Sequence, residues 1–422
     1  MKRFLTYLLN TATFRQSTIS FAGTFLNGLL GALFYIVLAR FLGPADFGLL
    51  TVSIVTLTLI SDIADMGTNT GLIRFVSSNL VSDREKALRF LRLSLEVKII
   101  FWLITLTLIL LLSPFIADYI FHKNELTQPL RLVAFGVGGA LLFSFATSSL
   151  QAFQKYFAWS LINILTNSLR LLLIILLGFY SLLNLENSLI VYILLPFFGF
   201  FITLWILPTK KILSSKNEFT LSKQLFSYNF PIALFTLIAA FSARLDTYLS
   251  ASLLPSREVG IYGIANQLVQ VVPQLVSALG LVAAPKFSSF QSDKQMLIYL
   301  KKFQLLVSGL FLLGILSIPI SIYLIPIILG PEYQQAIIPF IFLFLAMLIF
   351  LFSVPVHNSV IFYYGRPDVF IWVSLGHLLI IAGLGYFMIS NYGVLGASLT
   401  VLIGTTFNFL YPLIWVLIKL KK

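Results

Sequence analysis

The chain has 422 residues, of which 59% are hydrophobic and only 10% charged. A soluble fold cannot keep that much apolar surface from water, so the composition excludes a soluble enzyme or binding domain and places the chain in a bilayer. With no cysteine and three histidines, His122, His357 and His377, lacking ligand spacing, neither a disulfide, a metal site nor a bound cofactor is expected, and no nucleotide-binding glycine motif occurs.

A membrane-spanning helix needs about 20 apolar residues. Twelve such runs are expected, at 17–40, 46–76, 94–117, 129–151, 157–181, 187–208, 226–250, 258–284, 303–329, 336–361, 369–389 and 393–418. The fold class is therefore an all-α integral membrane protein with 12 transmembrane helices. The leader MKRFLTYLLN (residues 1–10) has basic residues before a short apolar stretch. Arg15 and Gln16 follow with no small-residue cleavage site, so an interfacial leader before an uncleaved first helix is expected.

The first span carries Ser20, Thr24, Asn27 and Gly31 on one face. In the second, Thr51, Thr58, Asp62, Asp65 and Asn69 form a single stripe at helical spacing. That span would be about 45 Å long at helical rise, so Arg74 at its cytoplasmic end snorkels to the interface. Its Gly67 and Gly71 make a GxxxG, expected as a packing face. At the start of the third, Arg89 or Arg92 pairs with Glu96 at the interface and Lys98 meets headgroups. The fifth carries Ser160, Asn163, Asn167 and Arg170; the seventh, Arg244 and Asp246 in its outer part; the eighth, Gln267, Gln270, Gln274 and Ser277. His357 and His377 read as satisfied helix-interior residues.

The net charge of +13 is explained by topology. Taking both termini and every second loop as one side collects twenty of the 28 bases against four on the other. That asymmetry puts both termini in the cytoplasm, supports an even number of spans in a cytoplasmic (inner) membrane, and leaves no reason to expect a nucleic-acid partner. The halves repeat: Pro44-Ala45-Asp46-Phe47-Gly48 follows the first span and Pro255-Ser256-Arg257-Glu258-Val259-Gly260 the seventh, while Trp159 and Trp372 sit at matching points of the fifth and eleventh. Six spans per half is even, so the repeats are parallel, related by a pseudo-twofold axis along the membrane normal. The expected organisation is an N-lobe (1–208, spans one to six), a cytoplasmic linker (209–225) and a C-lobe (226–422, spans seven to twelve), with a cleft between the lobes.

Polar groups facing lipid are costly, so these faces turn inward. Interhelical hydrogen bonding accounts for any single Ser, Thr or Asn. A guanidinium in the membrane must be paired or face water. For Arg170 and Arg244 the readings are an internal salt bridge, with Asp62, Asp65 or Asp246, and an anionic ligand, and both hold if a pair opens when the ligand arrives. The candidate ligand-binding residues are Arg170, Arg244, Asn27, Asn163, Asn167, Asn69, Gln267, Gln270 and Gln274. Asp62, Asp65 and Asp246 are candidates for coupling to a proton or sodium gradient.

Four stretches, LARFLGPADFGLL (38–50), ISDIADMGTNTGLIRF (60–75), LQAFQKY (150–156) and LPSREVGIYGIANQL (254–268), resemble the polysaccharide and O-antigen flippases of the multidrug/oligosaccharidyl-lipid/polysaccharide exporter superfamily. The resemblance implies a V-shaped pair of six-helix lobes that carries polyprenyl-diphosphate-linked glycans from the cytoplasmic to the outer leaflet by alternating access. It implies a transporter without enzymatic activity or cofactor, whose partners are the lipid-linked glycan and membrane lipids, working as a monomer. A cationic central cavity in such proteins would be met here, by position, by Arg170 and Arg244. A multidrug extruder of the same superfamily would be expected to carry an acid in the first span, and residues 17–40 contain none. A membrane glycan polymerase or ligase would need a long extracytoplasmic loop.

Overall fold

Backbone N–H and C=O groups inside hydrocarbon must find partners within their own segment, which favours helix. Residues 12–215 and 218–420 are described in the computed structural model, and among them there is no strand. The leader expected over residues 1–10 lies outside the described residues.

Fifteen α-helices follow in chain order: α1 (Ala12–Asp65), α2 (Thr68–Asn79), α3 (Arg84–Phe115), α4 (Thr127–Ala152), α5 (Tyr156–Phe179), α6 (Leu185–Ile206), α7 (Thr209–Ser214), α8 (Phe219–Ser242), α9 (Leu245–Leu253), α10 (Ser256–Val269), α11 (Val271–Ser288), α12 (Asp293–Leu329), α13 (Ile337–Asn358), α14 (Val369–Leu379) and α15 (Gly385–Leu420). Among the described residues, ten stretches are long and apolar enough to cross a membrane. Two of these bend at a glycine outside helical geometry, Gly43 (φ 74°, ψ 170°) and Gly393 (φ 59°, ψ −136°), each leaving a helix of spanning length on either side. Twelve helices of spanning length result among the described residues. Their outward side chains are apolar: Leu111, Leu316, Ile327 and Trp205 are all well exposed, as lipid-facing positions require.

Several spans depart from uniform helices for local reasons. The second is interrupted at Met66 and Gly67, both left-handed (φ 48° and 69°). Gly67 is thus a helix break that starts α2, whereas Gly71 packs closely on Asn229. The third begins at Arg84 rather than near residue 94, because the Asp83 side chain accepts the Lys86 N–H and caps it. The seventh stops at Ser242, resumes at Leu245 and ends at Leu253. In the eighth, Pro273 has no N–H to give the Val269 carbonyl, and a tighter turn intervenes at Gln270, whose N–H reaches Gln267 O at 3.3 Å.

The chain divides into two compact units, one of residues 1–34 and 52–241, the other of residues 35–51 and 242–422. In the first, Phe90, Leu91, Phe145, Phe200 and Leu225 form a buried core among α3, α4, α6 and α8. In the second, Phe287, Met296, Phe303 and Leu351 form one core and Val356, Val360, Val369 and Val416 another. Within the second unit, the Gly48 backbone crosses that of Gly260. The same unit holds the Tyr333 hydroxyl donating to Ala39 O (2.9 Å) and the Arg40 guanidinium donating to Ile327 O (3.1 Å) and Ile328 O (2.8 Å), at the last turn of α12.

Candidate functional site

The fifth-span face is built on α5. Ser160, at its start, lies against Gly23 of α1. One turn on, Asn163 donates to Trp159 O in its own helix (2.8 Å). Asn167 donates to Asn27 Oδ1 on α1 and accepts from Arg170 Nη1 at 2.9 Å. Arg170 Nη2 also reaches Tyr192 O (3.4 Å), and the guanidinium lies over the Tyr192 ring (4.2 Å to the centroid) and near that of Phe34 (5.6 Å). A directed row results: guanidinium to Asn167 carbonyl, Asn167 amide to Asn27 carbonyl, with the Asn27 amide N–H groups at its far end.

Every partner of Arg170 is neutral. Among the described residues no carboxylate forms a salt bridge with it, and its Nε is buried without a hydrogen-bond partner. Among the described residues, the internal salt bridge considered for Arg170, with Asp62, Asp65 or Asp246, is therefore not formed. Ring faces and amide oxygens orient a guanidinium but leave its net charge in place.

The acids of the second span are differently committed. Asp65, the last residue of α1, pairs with Lys98 of α3, accepts the Thr68 hydroxyl at 3.1 Å and accepts the Asn69 N–H at 3.3 Å. Asn69 in turn accepts from Ser148 of α4 (3.0 Å). The headgroup position expected for Lys98 is corrected: its side chain is 0% exposed and also donates to Ser144 of α4 at 3.0 Å. Lys98 follows Leu91 and Ser94 on the inward face of α3, a spacing visible in the sequence that argues for burial. Arg92 does pair with Glu96 (2.7 Å), and Arg89 with Glu85 and Glu218. Asp62 is half-buried and engages a partner.

In the second unit, Arg244 sits at the break before α9, two residues from Asp246, and engages a partner. Asp246 is buried and accepts the hydroxyl of Tyr262, itself fully buried. Gln267 is half-buried, while Gln270 and Gln274 are exposed; Gln270 bonds Asn266 (3.3 Å) and lies at the turn between α10 and α11. His357 and His377 are both bonded, Nε2 of the first to Asn408 O (3.0 Å) and Nδ1 of the second to the Ser242 hydroxyl (3.1 Å).

Apolar helices of spanning length with charged and amide groups held inside them define an all-helical, multi-pass membrane protein. The lipid II flippase MurJ, in an inward closed conformation, superposes with a TM-score of 0.75 at 16% identity over 94% of this chain and 86% of that one. A multidrug resistance MATE family transporter of the MOP superfamily, inward-facing, gives 0.76 at 12% identity over 93% and 94%. A further MATE structure, in complex with MaL6, gives 0.64 at 13% identity over 98% of both chains. Residues 14–291 match the model of the polysaccharide biosynthesis protein family, and the chain belongs to that family. None of the curated proteins matches it significantly in sequence.

Proposed function

We propose that the protein is a flippase that moves polyprenyl-diphosphate-linked oligosaccharide from the cytoplasmic to the outer leaflet of the cytoplasmic membrane, for O-antigen or capsule biosynthesis. It works by alternating access of two six-helix lobes, as a monomer with both termini cytoplasmic. The observation that carries this reading is the guanidinium of Arg170, held inside a spanning helix with no carboxylate partner among the described residues. An unpaired cation at membrane depth is costly, and a diphosphate is a ligand that offsets the cost: two charged groups exchange hydration for bidentate hydrogen bonds. The Asn167 and Asn27 amides beside it suit sugar hydroxyls. Family membership and the name of the MurJ neighbour, a lipid II flippase, support the same class of cargo. An organic-cation extruder, a reading suggested by the multidrug name of the MATE neighbour, fits poorly, since Arg170 would repel its substrate.

Reconstitution into liposomes decides between these cargoes. A fluorescent polyprenyl-diphosphate-linked sugar should gain access to the opposite leaflet faster than in protein-free vesicles, while an organic cation such as ethidium should not move. The reverse pattern would reject the flippase reading.

A further inference from the structure

Arg74 and Arg170, both in the first unit, each rest on a tyrosine ring. The Arg74 guanidinium carbon lies 4.3 Å from the Tyr228 centroid, against 4.2 Å for Arg170 over Tyr192. Among the described residues Arg74 forms no salt bridge, and its guanidinium donates to no protein acceptor. Snorkelling from the end of an apolar span accounts for its exposure but not for this seat. A ring covers one face of the guanidinium and leaves its charge in place, while its donor edge stays open.

The seat is built from two helices and backed by a third. Tyr228 of α8 stands edge-on to Phe75 of α2 (5.4 Å, 76°), and Phe75 stacks on the buried Phe90 of α3 (4.8 Å, 12°). The tyrosine is thus held by the core of the unit as well as by the arginine. Next to it in the chain, Asn229 is 2% exposed, and neither its amide nitrogen nor its amide oxygen has a hydrogen-bond partner. That amide lies against Gly71, one turn before Arg74 on the same face of α2, where the absence of a Cβ makes room for it. A buried, unpaired amide is a costly group to keep. One small region therefore holds a cation without an anion and an amide without a partner.

We propose that Arg74, Tyr228 and Asn229 form a second anion site, separate from that of Arg170, which takes the diphosphate of an isoprenyl-linked molecule. The guanidinium supplies charge and a bidentate edge, the ring fixes the plane of that edge, and the Asn229 amide donates to a phosphate oxygen. A diphosphate carries charge on both of its phosphoryl groups and can meet the fork and the amide together. The single phosphate of a bilayer phospholipid meets one of them at a time. Assigning the site to the lipid-linked cargo rests on the flippase reading, in which the headgroup arrives at the cytoplasmic end of the second span and meets Arg74 before Arg170.

The test is equilibrium binding of farnesyl diphosphate to the whole protein in phosphatidylcholine nanodiscs. Arg170→Gln serves as the background, since it removes the other site. On that background binding should persist, should weaken roughly tenfold with Arg74→Gln and should weaken less with Arg74→Lys. Tyr228→Phe, which keeps the ring, should bind as before, whereas Tyr228→Leu should lose affinity several-fold. Asn229→Leu separates binding from folding: an apolar side chain of similar size in place of an unpaired amide should leave the melting temperature equal or higher, while binding falls several-fold. Inorganic pyrophosphate should compete, and replacing phosphatidylcholine by phosphatidylglycerol should change nothing. Absence of binding on the Arg170→Gln background, equal affinity with and without Arg74, failure of pyrophosphate to compete, or displacement by phosphatidylglycerol overturns the proposal. The flippase reading stands or falls separately, on leaflet exchange, which this binding measurement does not follow.

Discussion

Gly48 and Gly260 lie back to back, each filling the space a side chain on the other's helix would need. A Cβ on Gly48 would fall on the Ser256 carbonyl, and one on Gly260 on that of Pro44; each would also stand 2.8 or 3.0 Å from the other glycine's amide nitrogen. The two acid-apolar-glycine triplets that mark the internal repeat thus meet in the structure, which gives a physical reason for glycine at both positions: two backbones approach where no Cβ fits.

Gly48→Ala and Gly260→Ala should each lower stability by about 1–3 kcal/mol through overpacking against backbone that cannot yield. Gly31→Ala and Gly280→Ala, where a Cβ meets nothing within 4 Å, should be neutral or slightly stabilising. Thermal unfolding of the four variants in detergent checks the contrast.

Asn167 is the hinge of the Arg170 row. Asn167→Asp puts a carboxylate beside the guanidinium at a bond now 2.9 Å long. It should leave thermal stability equal or higher while abolishing flipping, because the charge meant for the ligand is already satisfied. Asn27→Leu removes only the far end of the row and should weaken transport several-fold without abolishing it. Melting and flipping measured on the same preparations separate the two effects.

Arg40 caps α12 through two carbonyls, and Tyr333 bonds Ala39 O. Arg40→Ala and Tyr333→Phe should each cost about 1 kcal/mol. Detergent melts of the single and double variants test this, and additive losses within error are expected if the two bonds act independently.

The loop before α14 carries a surface pair, Arg366 and Asp368 (2.8 Å). The hydrogen bond from Arg366 holds the Asp368 carboxyl below its ordinary value. A depressed carboxyl contributes above its unfolded value and loses that contribution as pH falls through the folded one. Asp368→Asn should therefore leave the melting profile unchanged at a pH low enough to protonate the carboxyl in both states, and lower it only above. Because both side chains are exposed, added salt should erase the difference.

Much of this architecture is legible in the residues. The spans follow from hydropathy, and the Gly43 and Gly48 turn and its partner at Gly260 from a repeat 212 residues apart. The face of Asn167 and Arg170 follows from helical spacing. Lys98 shares the face of Leu91 and Ser94, a spacing that argues for burial, but its place near the start of an apolar run equally suits a headgroup position; its partners Asp65 and Ser144 come together only in the fold. The break at Met66–Gly67 falls in a polar stretch, Asp65 to Gly71, whose GxxxG spacing reads equally as a packing face, whereas Pro273 announces the turn at Gln270. Asn163 shows the limit of spacing: it lies on the right face and spends its amide on its own helix.

The central claim is that the unpaired charge of Arg170 receives the diphosphate. It is tested most directly by the flipping rate of a fluorescent polyprenyl-diphosphate-linked sugar in liposomes carrying equal amounts of folded parent, Arg170→Lys or Arg170→Gln. The account expects Arg170→Lys to retain a reduced rate, since the charge stays but the bidentate fork is lost, and Arg170→Gln to fall to the rate of protein-free vesicles. Parent-like flipping by Arg170→Gln would contradict it.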